Sequence, residues 1–151
     1  MDVPTGQMAT LQSQLAEKLQ ASLFFTDMPI ITEKVQDIEN EIDRALGSLG
    51  GVCVVIVTPR ANVSHSNLPG PQFDDVAIVV RIIENVLVNQ SAAGTKIPAS
   101  EVAEQVAANI HHMQTAARQT VRCQSMGLVA DPDNLIYDVA FKTKFGVSKQ
   151  G

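Results

Sequence analysis

The chain has 151 residues, a formal net charge of -5 and few aromatic side chains. That length predicts one domain over 1–151 whose aliphatic core needs no disulfide or metal staple. The acidic balance excludes a protein whose main task is gripping phosphates, and leaves room for a local basic patch.

Residues 1–7 read as a loose end. Met8 to Ser22 predicts a helix, because Met8, Leu11, Leu15 and Leu19 form an apolar stripe among good helix formers. Leu23 to Ile31 is apolar but broken by Asp27 and Pro29. A short edge strand or an extended connector fits it, since Pro29 has no N–H for a ladder. Thr32 reads as an N-cap for a helix over Thr32 to Leu46. Its apolar face is Val35, Ile38, Ile42, Ala45, Leu46 and Leu49, its other faces are charged, and Gly47 or Gly50-Gly51 ends it.

Gly51 to Thr58 is apolar at every position before Thr58, the mark of a strand covered on both sides. The polar stretch Arg60 to Asp75 follows, with Pro69-Gly70-Pro71 inside it. Irregular stretches this long are usually functional or disordered, and an extended hairpin arm is the other reading. The most informative segment is Val76 to Asn89. Val76, Ile78, Val80, Ile82, Val86 and Val88 share one face of a period-two pattern interrupted by Glu84. Most of its apolar residues are β-branched, which predicts one long central strand rather than a helix.

Asn89 to Lys96 reads as a loop. Pro98 and Ser100 introduce a helix over Ala99 to Ala117, with Val102, Ala103, Val106, Ala107, Ile110, Met113 and Ala117 buried. Thr120 to Ala130 predicts a strand ending at Val129. Asp131-Pro132-Asp133-Asn134 is a turn, because proline presets φ and the Asp and Asn side chains cap the backbone. In the last strand Leu135, Tyr137, Val139, Phe141, Thr143 and Phe145 face one way. Ile136, Asp138, Ala140, Lys142 and Lys144 face the other, largely toward solvent. Residues 146–151 read as a frayed tail. The expected fold class is α+β: a mainly antiparallel sheet with two main helices on one face, plus an N-terminal helix.

Chemistry is sparse. No run of about eighteen apolar residues predicts a membrane-crossing helix. The start Met1-Asp2-Val3-Pro4 lacks the pattern of a secretory signal. Cys53 and Cys123 are therefore expected to be reduced, Cys53 as a small buried thiol. Gly50-Gly51 leads into a strand rather than a helix, so it makes no phosphate loop. His111 and His112 are adjacent, and on a helix their side chains would point about 100° apart, unlike a chelating i, i+4 pair. His65 beside Ser64 and Ser66 has no orienting partner nearby, and a polar loop explains it. No catalytic, cofactor-binding or metal residues are assigned, no cofactor is expected, and the chain is read as a non-enzyme. Arg81 and Glu84 interrupt the central strand on opposite faces. Either they meet a partner subunit, or the strand has run past the core into water.

In order, the elements are a helix ending in Gly-Gly, the strand GVCVVIVTP, a Pro-bearing loop, the strand DDVAIVVRIIENVLVN, the helix PASEVAEQVAANIHHM and the strand YDVAFKTKFG. This order resembles phage tail terminators and related head–tail completion proteins, over roughly residues 30–145. Ile78, Val80 and Ile82 supply the alternation of the family's central strand, and Glu84-Asn85 closes it. The resemblance implies a structural virion protein of the tail and neck, made in a bacterial host's cytoplasm. It implies a homo-oligomeric ring, commonly of six, that caps the tail tube and receives the connector. Genomic DNA would pass through such a channel without sequence-specific binding, and no membrane partner is implied. The alternatives are another tail, neck or baseplate subunit, or a small ligand-binding or enzymatic domain with its site in residues 60–75. Arg60, Val63, Leu68, Phe73, Arg81 and Glu84 are the expected subunit-interface residues. Val63, Leu68 and Phe73 are apolar groups for which a solvated loop has no use, and Pro69 and Pro71 lower the ordering cost of docking.

Overall fold

A computed structural model describes residues 6–33, 38–48, 50–64, 72–116 and 118–146. The fold is α+β, built on one mixed sheet. Its strands are β1 (Ile30–Thr32), β2 (Val52–Ile56), β3 (Arg60–Ser64), β4 (Gln72–Glu84), β5 (Arg122–Val129) and β6 (Leu135–Gly146). They lie in the order β1-β2-β4-β6-β5, and β3 continues beside β4 beyond the end of β2. All pairings are antiparallel except β1 with β2. The helices are α1 (Gln7–Gln20), α2 (Ile38–Ser48), the single turn α3 (Val86–Asn89) and α4 (Ala99–Ile110), with a 3-10 turn at Leu23–Phe25.

The strand periodicity is realised as expected. Val76, Ile78, Val80 and Ile82 of β4 and Val139, Phe141 and Phe145 of β6 are buried on one face, under α1 and α4. Helix α1 contributes Leu11, Leu15 and Leu19, and α4 contributes Val102, Ala103, Val106 and Ile110. Each large apolar side chain fully withdrawn from water contributes roughly 1.5–3 kcal/mol, so this layer dominates the stability.

The helices do not all lie on one face. Helix α2 packs on the opposite side of the sheet, setting Ala45 and Leu46 against Ile31, Cys53, Val55, Ile83 and Ile136. An amphipathic stripe requires a partner surface without saying which side of the sheet supplies it. The apolar run of β2 is explained by this arrangement: Val52, Val54 and Ile56 serve one core, Cys53 and Val55 the other.

Four element boundaries differ from expectation by more than two residues. Thr32 is no helix cap but the end of β1, and the Glu33 N–H extends the ladder by donating to the Ile56 carbonyl at 2.9 Å. Helix α2 is described only from Ile38; Val35 and Leu49 lie outside the described residues. The expected irregular stretch 60–75 is largely a hairpin: β3 pairs with the start of β4 as far as Ser64 opposite Gln72. Residues 65–71, with Leu68, Pro69 and Pro71, lie outside the described residues. Helix α4 ends at Ile110 rather than Ala117, because the backbone turns extended at His111 and left-handed at His112, φ 68°. A short return follows, closed by the His112 N–H donating to the Val121 carbonyl at 2.7 Å.

The fourth difference is the largest. The central strand runs from Gln72 to Glu84, not from Val76 to Asn89. Asn85 stops it by accepting the Val88 N–H on Oδ1 at 3.2 Å, and the turn of helix α3 begins. This Asn cap satisfies one orphan donor of the helix start. The closing hairpin between β5 and β6 matches the expected turn: Asp131 Oδ1 accepts the N–H groups of Asp133 and Asn134, both at 2.9 Å.

Candidate functional site

Glu84 was expected at a subunit contact or in water. It is instead 2% exposed and engaged within its own chain. Its Oε1 accepts the Ala99 N–H at 2.8 Å, and its Oε2 accepts from Asn89 Nδ2 at 2.8 Å. The first contact puts a carboxyl group at the start of α4, where Pro98 as N-cap makes no side-chain cap bond. Acceptors are favoured there because the first helical N–H groups have no partner in the helix. Asn89 is also buried; Nδ2 donates a second bond to the Ile97 carbonyl, while Oδ1 accepts from Thr95 Oγ1 and the Lys96 N–H. Every donor and acceptor of the Asn89 amide is thereby used. Gly51 (φ 86°) packs against this knot so closely that an added Cβ would lie 2.6 Å from the Asn89 nitrogen. Gly94 packs against the Asn89 carbonyl in the same way. These residues tie the end of β4 to the start of α4, and their role is internal.

The other expected interface residues are distributed differently. Phe73 lies against Phe145, ring centroids 5.3 Å apart, and packs on the main core. Val63 is a strand residue whose backbone pairs with Phe73. Arg81 sits opposite Asp138 on β6 and grips it with two bonds, Nε to Oδ1 at 2.8 Å and Nη2 to Oδ2 at 2.9 Å. That bidentate contact raises the Arg81 pKa, desolvation opposing it. Arg60 is exposed at the start of β3, opposite Ala77.

The sheet face that α2 covers at one end is open at the other, and sequence reasoning missed what it carries. Directly paired residues share a face, so the register sets Arg60, Ala77, Lys142 and Arg122 in one transverse row across β3, β4, β6 and β5. Lys144, two residues beyond Lys142, points the same way. Lys142 Nζ pairs with Asp75 at 2.9 Å, and this contact and the Asn62 hydrogen bond lower the Asp75 pKa. Arg118, Arg122, Lys142 and Lys144 line an open groove of about 400 Å³. Met126 and Leu128 of the edge strand β5 are also exposed, but their register opposite Val139 and Tyr137 sets them on the other face.

Among the described residues no three of His, Cys, Asp and Glu are placed to hold a metal ion. The His111 and His112 rings stack at 3.9 Å instead of diverging as they would on a continued helix, and His111 Nδ1 accepts the Cys123 N–H. Burial pushes the Cys53 thiol up to about 12, which leaves it unreactive. No helix of the described residues is long and apolar enough to cross a membrane.

The fold has a solved counterpart. A chain in the structure "Virion of native gene transfer agent (GTA) particle" superposes with a TM-score of 0.66, over 95% of this chain and 100% of that one. The two are 15% identical, so the likeness is one of fold. A second solved structure agrees with a TM-score of 0.55 at 13% identity, over 98% of this chain and 100% of the other. No family model matches the chain, and no curated protein does.

Proposed function

We propose that this chain is a structural protein of a phage-like virion, forming a ring at the head–tail junction that caps the tail tube and joins it to the connector. The observation that carries this reading is the fold shared, end to end, with a chain of a gene transfer agent virion. The reading is also supported by the resemblance of the sequence to tail terminators, whose central strand corresponds here to β4. The hairpin of β3 and β4 supports an assembly role, since its paired strands continue beyond the end of β2.

In this reading the ring consists of copies of this chain, commonly six. Its neighbours are the tube protein below and the connector above, and DNA passes through its channel. The stretch 60–75 contacts a neighbouring subunit or an adjoining ring. The test replaces residues 65–71 with a short Gly/Ser turn, which leaves the Ser64–Gln72 pairing in place. Melting temperature, native mass and capping of purified tail tubes are then measured together. The expected result is an unchanged melting temperature with loss of the ring or of its attachment to tubes. A shortened protein that still assembles and caps tubes removes residues 65–71 from the mechanism. A wild-type chain that stays monomeric and never binds tubes removes the ring itself.

A further inference from the structure

The two signs of charge are concentrated at opposite ends of the same sheet face, with Asp75 among the cations of one end and Arg44 among the carboxylates of α2 at the other. The open end carries the row Arg60, Lys142 and Arg122, with Lys144 beside it. Lys142 and Arg122 are directly opposite each other, an arrangement that destabilises an isolated sheet. Of these four cations only Lys142 makes an ion pair among the described residues, with Asp75. The covered end carries α2, whose outer surface exposes Glu39, Glu41 and Asp43. None of these three pairs with a described cation. Glu39 and Asp43 are four residues apart, so they share one flank of the helix.

We propose that the occupant of the open basic face is the acidic α2 of a second copy of this chain. The inference rests on the ring reading above and gives it an interface. Each copy would offer α2 to one neighbour and the open face to the other. That contact is heterologous, the kind that closes into a ring when the rotation allows. The surface suits a seated helix: the small side chain of Ala77 lies between Arg60 and Lys142, Ala140 follows Lys142 on the same face, and the groove beside Arg122 is open. A second copy accounts for both patches, whereas a nucleic-acid partner would account for the basic one alone. Asp75 already offsets part of the charge at Lys142; carboxylates of a second copy would offset Arg122 and Lys144, so assembly weakens as salt screens the contact.

The experiment uses two charge-reversal variants of the full chain. One carries Arg122→Glu with Lys144→Glu, the other Glu39→Lys with Asp43→Lys. All four residues are exposed, so both variants keep the wild-type melting temperature. Native mass is measured for the wild type, for each variant and for an equimolar mixture. The expected result is a wild-type ring, loss of the ring in each variant alone, and its return in the mixture as alternating copies. Variants that each keep the ring mass overturn this interface and leave the ring reading standing. A basic-face variant that keeps the ring but loses salt-sensitive binding to a duplex DNA probe assigns the face to nucleic acid, which also overturns it. A monomeric wild type removes the ring reading and this inference together.

Discussion

Glu84 and Asn89 stand five residues apart and share a 2.8 Å hydrogen bond, both side chains withdrawn from water. Around that bond a strand, a single helical turn and the start of α4 are fastened together. A buried polar group of this kind stabilises only while all its partners are satisfied.

Removing the carboxyl should therefore be costly. Glu84→Ala leaves the Ala99 N–H and one Asn89 N–H buried without an acceptor, and each such loss costs about 1–3 kcal/mol. The expected loss is about 2–4 kcal/mol, read from the midpoint of urea denaturation at unchanged slope. Glu84→Gln keeps one acceptor and places an amide donor against another donor, so it should fall between Ala and wild type. A midpoint for Glu84→Ala equal to that of wild type would show that the knot is dispensable.

Two helix-face substitutions should differ in severity. Val106 is 0% exposed between α4 and the sheet, so Val106→Asp buries a charge with no partner and should abolish cooperative unfolding. Ile38 is only half-buried at the start of α2, so Ile38→Asp should lower stability by roughly 1–2 kcal/mol and leave the fold intact. Circular dichroism during heating distinguishes the cases. Equal effects would contradict the depth of burial assigned to the two helices.

The acid limb of stability should be sensitive to Asp131. The backbone N–H groups of Asn134 and then Asp133 hold its carboxyl below the usual range. A depressed folded pKa contributes stability above the unfolded value near 4, and that contribution is lost as pH falls through the folded value. Asp75 acts in the same direction through Lys142. Asp131→Asn keeps an oxygen acceptor but cannot titrate. Its stability should therefore decline less steeply than wild type on acidification from about pH 5 to pH 3. Parallel pH profiles for the two proteins would exclude the turn as a source of acid sensitivity.

The sheet was largely legible because period-two patterns in Val76–Ile82 and Tyr137–Phe145 survive in single strands facing one core. The end of β4 was not. Val86 and Val88 are β-branched and favour a strand by themselves. The Asn85 cap and the buried Glu84–Asn89 bond, both depending on packing, override that preference. The side taken by α2 was hidden for a related reason: its stripe is the same whichever face it covers. Arg60 and Arg81 were expected at a subunit interface, and register sets both on the sheet face opposite α1 and α4. The basic row was invisible because Arg60, Lys142 and Arg122 come from three strands and meet only through register.

The seam between β4 and β6 has a consequence for how the chain is made. Strand β6 follows β4 only after α4 and β5 have been synthesised. While the chain emerges from the ribosome, the β4 edge that will take β6 stays open along its whole length. Such an edge recruits other strands, including those of neighbouring nascent chains. The local β5–β6 hairpin, with its Asp131 turn, can form quickly and arrive as a unit. Docking that hairpin against β4 is then the slow event, and the interval before it is when the protein is most prone to aggregate.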